Sequence, residues 1–160
     1  MAKPAIAAGI ASGQCLCGKV AFEIDVPARW AWHDHSAGSR RAHGAAYATY
    51  VGSWRKRFRV TSGQGAITRY EDKATKTVRS FCKHCGTPLW VSDEQWPELV
   101  HPFASAIDTE LPKAPSSVHL LLRDKASWVE PQIGLNDDRF EGYPELSIED
   151  WHKKYGLWIE

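Results

Sequence analysis

A single domain of mainly β structure is predicted by three features of the sequence. Apolar and polar residues alternate with a period of two in several short runs. Glycine, proline, serine or charged residues separate these runs at intervals typical of antiparallel sheets. The length of 160 residues suits one core of ordinary size and is short for two.

The strand pattern is clearest near the start of the chain. Val20, Phe22, Ile24 and Val26 are apolar, the residues between them are small or acidic, and Pro27 ends the run. Further extended runs are predicted at Ala45 to Val51, Trp54 to Thr61, Ala66 to Tyr70, Thr77 to Phe81, Pro88 to Val91, Leu99 to Ser105 and Val118 to Arg123. Residues 1–12 are interpreted as a loose Ala-rich lead-in, so the predicted domain spans residues 13–160.

One short helix is predicted near the end of the chain. Ser147 stands three residues before Asp150 as a capping pair, and Gly156 ends the segment. The residues on one helical face are Ile148, Trp151 and Tyr155. The helix is therefore expected to dock on the β core. The eight tryptophans of the chain are dispersed, and we interpret most of them as core packing, with one or two free to line a pocket.

The charge balance excludes several classes of protein. Twenty Lys and Arg residues stand against nineteen Asp and Glu, so no overall field favours nucleic acid or a membrane surface as a partner. No apolar run approaches the roughly 20 residues of a membrane span, and a cytoplasmic location is expected. The basic run Trp54 to Val60 is interpreted as a solvated strand face rather than a phosphate-binding surface. The oligomeric state has no sequence signal.

Four cysteines form the strongest chemical signal. Cys15 and Cys17 are two residues apart and point to one face of an extended segment, and Cys82 and Cys85 with the following Gly86 have the spacing of a zinc knuckle. Four thiolates make one closed tetrahedral site, so one structural zinc ion is predicted. Two disulfides or four free buried thiols are the alternatives, and both are less favoured because the Cys15–Cys17 ring would be strained and the setting is reducing.

The order of several segments resembles the glutathione-dependent formaldehyde-activating enzyme family, which shares its fold with the centromere-protein-V domain and the Mss4-like proteins. The matching segments are Gly13 to Phe22, Arg40 to Ala46, Arg79 to Trp90, Ala104 to Asp108, Pro115 to His119, Asp124 to Trp128 and Phe140 to Gly142. The resemblance implies an Mss4-like β-tent of antiparallel sheets around one structural zinc. It also implies a carbon–sulfur lyase acting on an adduct of glutathione or another thiol.

The resemblance further implies a second, catalytic zinc ion, held in the family by three cysteines of a Cys-His-Cys-x-x-Cys-Arg segment. In this chain Asp34, Ser36 and Ser39 stand at those three positions. A neutral hydroxyl is a poor zinc ligand, and one carboxylate does not replace three thiolates, so a family-type second zinc is not expected. His33, Asp34 and His35 are an alternative ligand set, although His33 and His35 share one face of an extended segment and Asp34 points the other way.

The candidate functional residues therefore surround this altered segment. Acid–base chemistry is assigned to Asp34 and His35, with Ser36 and Ser39 as hydrogen-bond donors. Substrate binding is assigned to Arg40, Arg41 and His43, because arginine pairs suit carboxylates such as those of glutathione. His119 is interpreted as a core histidine. The alternative functions are different small-molecule chemistry in the same pocket, and a non-catalytic binding or scaffold protein.

Overall fold

The computed structural model describes residues 9–25, 31–111, 113 and 116–158, which contain twelve β-strands and two short α-helices. The strands are β1 (Ile10–Gln14), β2 (Ala21–Asp25), β3 (Ala31–Asp34), β4 (Ala48–Val51), β5 (Ser53–Trp54), β6 (Phe58–Ser62), β7 (Ile67–Glu71), β8 (Thr77–Cys82), β9 (Pro88–Asp93), β10 (Leu99–Pro102), β11 (Val118–Leu120) and β12 (Asp138–Arg139). The helices are α1 (Ala37–His43) and α2 (Ile148–Lys154). The predicted mainly β class is confirmed.

The strands form three sheets with the orders β1-β2-β6, β5-β10-β9-β8-β7 and β12-β11-β3-β4. All strand pairs of the first two sheets are antiparallel. The third sheet is mixed, because β11 pairs in parallel with both β3 and β12. The prediction of antiparallel sheets is therefore incomplete. Parallel partners distant in sequence leave no hairpin signal for a sequence pattern to show.

Two apolar clusters stabilise these sheets. The first lies between the β1-β2-β6 sheet and the five-stranded sheet, with Phe22, Leu89 and Trp90 among its buried members, and Cys15 and Cys82 belong to it. The second packs α2 on the mixed sheet and consists of Trp32, Val118, Leu120, Leu121 and Trp151. The cysteine pairs are therefore anchored to one core, and the altered segment after β3 is anchored to the other.

Several predicted boundaries differ from the structure. Strand β1 begins at Ile10 and buries Ala11 against β2. The last residues of the predicted lead-in 1–12 therefore belong to the β core. The predicted strand Trp54 to Thr61 is interrupted by a 3-10 turn, and those from Leu99 and from Val118 end early, at Pro102 and Leu120. The predicted end of the first strand, Val26 and Pro27, lies outside the described residues.

The 3-10 turn also separates the arginines of the basic run. Arg55 donates from Nε to the carbonyl oxygen of Pro97 at 2.9 Å, and the guanidinium of Arg57 lies 5.1 Å from the ring centre of Trp54. Arg59 forms ion pairs with Glu23 and Asp25 at 2.6 and 2.8 Å. Each arginine thus has its own intramolecular contact.

The predicted C-terminal helix is confirmed as α2. The Ser147 hydroxyl accepts a hydrogen bond from the Asp150 N–H at 3.0 Å, and the Trp151 ring lies 6.3 Å from that of Trp32. A buried ring anchors a short helix that would not be stable alone. Among the described residues, no helix has the length and apolar character needed to cross a membrane.

We expect the Gly63→Ala substitution to destabilise the fold strongly. Gly63 has a φ of +74°, and a Cβ at this position would lie 1.8 Å from the carbonyl oxygen of Lys19. A left-handed conformation and a backbone clash together should lower the free energy of unfolding by at least about 2 kcal/mol. Urea denaturation measures the change. Gly65→Ala is the matched control, because a Cβ there meets nothing within 4 Å; equal losses in the two variants would contradict the prediction.

Candidate functional site

Four thiol sulfurs converge where the turn after β1 meets the turn after β8. The Sγ atoms of Cys15, Cys17, Cys82 and Cys85 all lie within 4.8 Å of one another. The Cys15–Cys17 and Cys17–Cys82 sulfur distances are 3.6 and 3.8 Å. All four cysteines are free, so the disulfide alternative does not apply. Tetrahedral zinc with Zn–S bonds of about 2.3 Å separates its sulfurs by about 3.8 Å, so the cluster fits a zinc ion.

Each cysteine pair lies in a tight turn that is closed by the N–H of the following glycine. The Gly18 N–H donates to the carbonyl oxygen of Cys15 at 2.9 Å, and the Gly86 N–H donates to that of Cys82 at 2.8 Å. The two glycines have φ values of +73° and +75°. Glycine adopts this left-handed conformation without strain, which explains why a glycine follows each cysteine pair.

In two of the four cysteines, Cys85 and Cys15, hydrogen bonds favour the thiolate form that a metal ion requires. The Thr87 hydroxyl oxygen accepts from the Leu16 N–H at 3.0 Å and lies 3.1 Å from Cys85 Sγ. The hydroxyl donates to that sulfur and lowers the pKa of Cys85 to about 5. Burial opposes ionisation of Cys15, but the N–H of Val20 donates to its sulfur at 3.2 Å and its pKa is lowered overall. Thr87, which was not among the predicted site residues, thus connects the two turns.

The altered segment after β3 forms a hydrogen-bonded corner. Asp34 accepts from the Ser36 N–H at 2.8 Å and from the Ser39 hydroxyl at 2.7 Å. The Ser36 hydroxyl accepts from the Ser39 N–H at 3.2 Å, so Ser36 is the N-cap of α1, a helix that the sequence pattern does not predict. The side-chain oxygens of Asp34, Ser36 and Ser39 are occupied by hydrogen bonds within this segment and are not directed at a common ion. The residues at the family's catalytic-zinc positions therefore do not fit a second zinc.

His33 and His35 face away from Asp34, as their spacing predicts. His33 Nδ1 lies 2.9 Å from the Thr49 hydroxyl, and His35 Nε2 lies 3.2 Å from Nδ1 of His119. His33, Asp34 and His35 thus do not converge on one point, which argues against the alternative metal site. In the part of the chain that the structure describes, the four cysteines are the one group of three or more candidate metal ligands.

His33, His35 and His119 instead form a histidine cluster. The ring centres of His33 and His119 are 4.8 Å apart, and His119 Nε2 lies 3.8 Å from a carboxylate oxygen of Asp137. Burial lowers the pKa of His33 and of His35 to about 4, assisted by the neighbouring His119. Burial also lowers the pKa of His119, although Asp137 opposes the shift. The cluster is therefore neutral at pH 7.

A cavity of about 380 Å³ lies between α1 and strands β8 and β9, and His43 and Arg79 line it. His43 Nε2 and Arg79 Nη1 are buried and have no hydrogen-bond partner within the described residues. Burial and the charge of Arg79 lower the pKa of His43 to about 4, so its imidazole is neutral at pH 7. Arg79 donates from Nη2 to the Ser39 hydroxyl at 3.4 Å, and that hydroxyl bonds to Asp34. Two polar groups of complementary character thus face one small cavity.

The other predicted binding residues lie elsewhere. Arg40 donates from Nη2 to the carbonyl oxygen of Asp124 at 3.1 Å, and Arg41 is exposed on α1. Neither lines the cavity, whereas the predicted His43 does. Arg79 was not predicted as a site residue. Its only sequence signal is its place at the start of a segment that matches the family.

The fold and the cysteine cluster define a mainly β protein with the donor set of one structural metal ion. The family profile described as glutathione-dependent formaldehyde-activating enzyme (GFA) matches residues 10–123. The chain belongs to this family. A relative from Halomonas elongata, named "Putative glutathione-dependent formaldehyde-activating enzyme", is 38% identical over 151 residues, which cover 91% of this chain and 96% of the relative.

A solved structure agrees with this fold. The chain is similar to a crystal structure of a Rhodobacter sphaeroides protein, with a TM-score of 0.53 and 19% sequence identity. The match covers 81% of this chain and 98% of the other. At this identity the likeness shows the fold alone.

Proposed function

We propose that this protein is a carbon–sulfur lyase that acts on the adduct of a small aldehyde with glutathione or a similar thiol, without a second metal ion. The observation that carries the proposal is the pair of buried, unpartnered polar atoms, His43 Nε2 and Arg79 Nη1, on one cavity. Membership of the family supports a glutathione-related small molecule as the substrate class.

The cavity supplies a base and a cation for this chemistry. A neutral imidazole accepts a proton through its bare nitrogen, and the low pKa of His43 keeps it in that form. The guanidinium of Arg79 stabilises negative charge that develops on sulfur or oxygen. Arg79 is held by Ser39, and Ser39 by Asp34, so these two residues position the cation.

The proposed step is redox-neutral. His43 accepts the hydroxyl proton of the adduct R–S–CH2–OH, the C–O bond becomes a carbonyl, and the C–S electron pair leaves on sulfur. Arg79 stabilises the thiolate, and the imidazolium then returns the proton to give R–SH and CH2=O. The reverse sequence of the same steps forms the adduct from thiol and aldehyde.

The remaining predicted residues take supporting roles in this proposal. Ser36 caps α1 and thereby sets the position of His43 seven residues later. His35 is fully buried against His119 and does not line the cavity, so the direct acid–base role moves from Asp34 and His35 to His43. We place the zinc ion on Cys15, Cys17, Cys82 and Cys85, where it would link the two turns and support the wall of the cavity at Gly86. The cytoplasm, where free thiols persist, is the proposed location.

The test is the rate of exchange between formaldehyde and glutathione, followed by isotope-resolved NMR. We expect acceleration over buffer by the wild-type protein. His43→Gln and Arg79→Met should each reduce the acceleration by about 100-fold or more, as removal of an acid–base or charge-stabilising group does. Arg41→Met is the matched control, because this arginine is exposed on the same helix and should leave the rate unchanged.

Two outcomes would overturn the proposal. The first is a wild-type rate equal to that of buffer at full zinc loading, which would favour a binding or scaffold role. The second is full activity in folded Arg79→Met and His43→Gln proteins. Thermal melting of each variant separates loss of chemistry from loss of fold.

A further inference from the structure

A second cavity of about 410 Å³ shares no lining residue with the one at His43 and Arg79. Trp32 and Tyr50 of the mixed sheet line it, together with the segment Tyr143 to Glu149 that runs into the start of α2. Trp54 and His101 of the five-stranded sheet also line it. Its volume falls within the roughly 300–1,000 Å³ of small-molecule sites.

Aromatic rings dominate the surface of this cavity. Trp32, Tyr50, Trp54, Trp96 and Tyr143 all line it. Among these, the rings of Trp96 and Tyr143 meet edge to face with centres 5.6 Å apart. Rings arranged in this way suit a flat unsaturated ligand, and their faces attract a cation.

Two polar atoms of the lining have no partner. Trp32 Nε1 and His101 Nδ1 are both buried and make no hydrogen bond within the described residues. Only 3% of the Trp32 surface is exposed. An unpaired buried N–H is costly, so a ligand group that accepts its hydrogen bond would be favoured in this cavity. The indole N–H can only donate, and the neutral imidazole can donate or accept, which matches a single hydroxyl group.

Three glutamates are also part of the lining. Glu98, Glu145 and Glu149 line the cavity, and of these Glu149 forms an ion pair with Lys153 at 2.5 Å. Glu98 and Glu145 have no ion-pair partner within the described residues. Two arginines lie close to the lining: Arg57 lies over Trp54, and the Arg55 N–H donates to the carbonyl oxygen of Glu98 at 2.8 Å. Glu98 and Glu145 are therefore the two carboxylates of the lining that remain available to a bound cation.

We propose that this cavity binds a small protonated arylalkylamine that carries a ring hydroxyl. The ring would lie among the tryptophans, the hydroxyl would accept from Trp32 Nε1 and donate to His101 Nδ1, and the ammonium would lie beside Glu98 and Glu145. The site is independent of the lyase chemistry, because neither His43 nor Arg79 borders it.

Isothermal titration calorimetry with tyramine as the probe tests the site. Two further probes isolate its parts: phenethylamine lacks the hydroxyl, and 3-(4-hydroxyphenyl)propionate replaces the ammonium with a carboxylate. We expect saturable tyramine binding, a several-fold weaker response to phenethylamine, and no binding of the anion. A missing hydrogen bond or an opposed charge has effects of this size.

Variants of the full-length protein assign the contacts. The double variant Glu98→Gln, Glu145→Gln should weaken tyramine binding by about 10-fold, while Glu130→Gln, an exposed glutamate outside the cavity, should not. Trp32→Phe keeps a ring and removes the N–H, so it should weaken tyramine binding and leave phenethylamine binding nearly unchanged. If Trp32→Phe does not fold, the double glutamate variant and the probe series still decide the question.

The proposal fails if tyramine does not saturate the protein below about 10 mM, the weak limit for a specific small-molecule site. It also fails if the anion binds as well as the amine, or if the double glutamate variant binds tyramine with wild-type affinity. The lyase assay reports on His43 and Arg79, which do not line this cavity. Its result is therefore independent of the tyramine measurement.

Discussion

Removal of zinc is expected to unfold the protein. The four cysteines connect the turn after β1 with the turn after β8, and Cys15 and Cys82 are themselves buried in the first apolar cluster. Closing the chain loop between Cys17 and Cys82 costs about 4 kcal/mol of conformational entropy, whereas structural zinc binding contributes roughly 10–16 kcal/mol in small model sites. Far-ultraviolet circular dichroism during titration with a strong chelator follows the loss of structure.

Substitution of one ligand should reproduce this effect. We expect Cys82→Ser to abolish stable folding at 37 °C or to lower the melting temperature by more than 15 °C, on the order of 5 kcal/mol for a domain of this size. His84→Ser is the matched control, since His84 lies exposed between the same cysteines and should change stability little. Metal analysis of the wild type should return about one zinc per chain. A metal-free sample with an unchanged spectrum would contradict the structural role, and two zinc ions per chain would contradict the exclusion of a second site.

The cysteine site was predictable because its signals are local. Each pair needs only its own turn and the glycine after it, so the spacing in the sequence already contains the geometry. The same holds for α2, where Ser147 caps the helix within one turn. The opposing directions of Asp34 and His35 also follow from the period of an extended chain. The cysteine turns, helix α2 and these side-chain directions each depend only on residues close together in the sequence.

The features that the sequence did not predict depend on contacts between distant residues. Arg79 becomes a candidate only because β8 brings it to α1, forty residues away along the chain, where Ser39 accepts its hydrogen bond. Strand β3 is paired with β11 in parallel, and this pairing places His119 beside His33. Helix α1 is short and contains Gly38, a weak helix former, so the sequence shows little helical periodicity there. Its formation depends on the cap at Ser36 and on Asp34.

Acid is expected to destabilise the folded protein steeply between about pH 6.5 and pH 4, through its buried neutral histidines. Histidine titrates near pH 6.5 in an unfolded chain, whereas burial lowers the pKa values of His33, His35 and His101 to about 4. Between these values the unfolded chain binds more protons than the folded chain. The free energy of unfolding therefore falls as the pH falls, by at most about 1.4 kcal/mol per pH unit for each histidine.

The histidine cluster should dominate this dependence. In the hydrogen bond between His35 Nε2 and His119 Nδ1, one ring donates and the other accepts. If both rings are protonated, both nitrogens become donors and two positive charges meet at 3.2 Å. Asp137 can compensate only part of this charge, because it already accepts from the N–H groups of Ser117 and Gly134 at 2.6 Å. Protonation should therefore separate β3 from β11.

Urea denaturation at several pH values from 5.0 to 7.5, with zinc content measured at each, tests this expectation. The double variant His33→Gln, His119→Gln should show a flatter dependence on pH than the wild type, even if it is less stable at pH 7.5. His84→Gln removes an exposed histidine and should keep the wild-type slope. An identical slope in the double variant would contradict the role of the cluster, and zinc content that falls in parallel with stability would point to the cysteine ligands instead. A flatter slope assigns the acid sensitivity to the junction between β3 and β11, where His119 lies beside His33 and shares a hydrogen bond with His35.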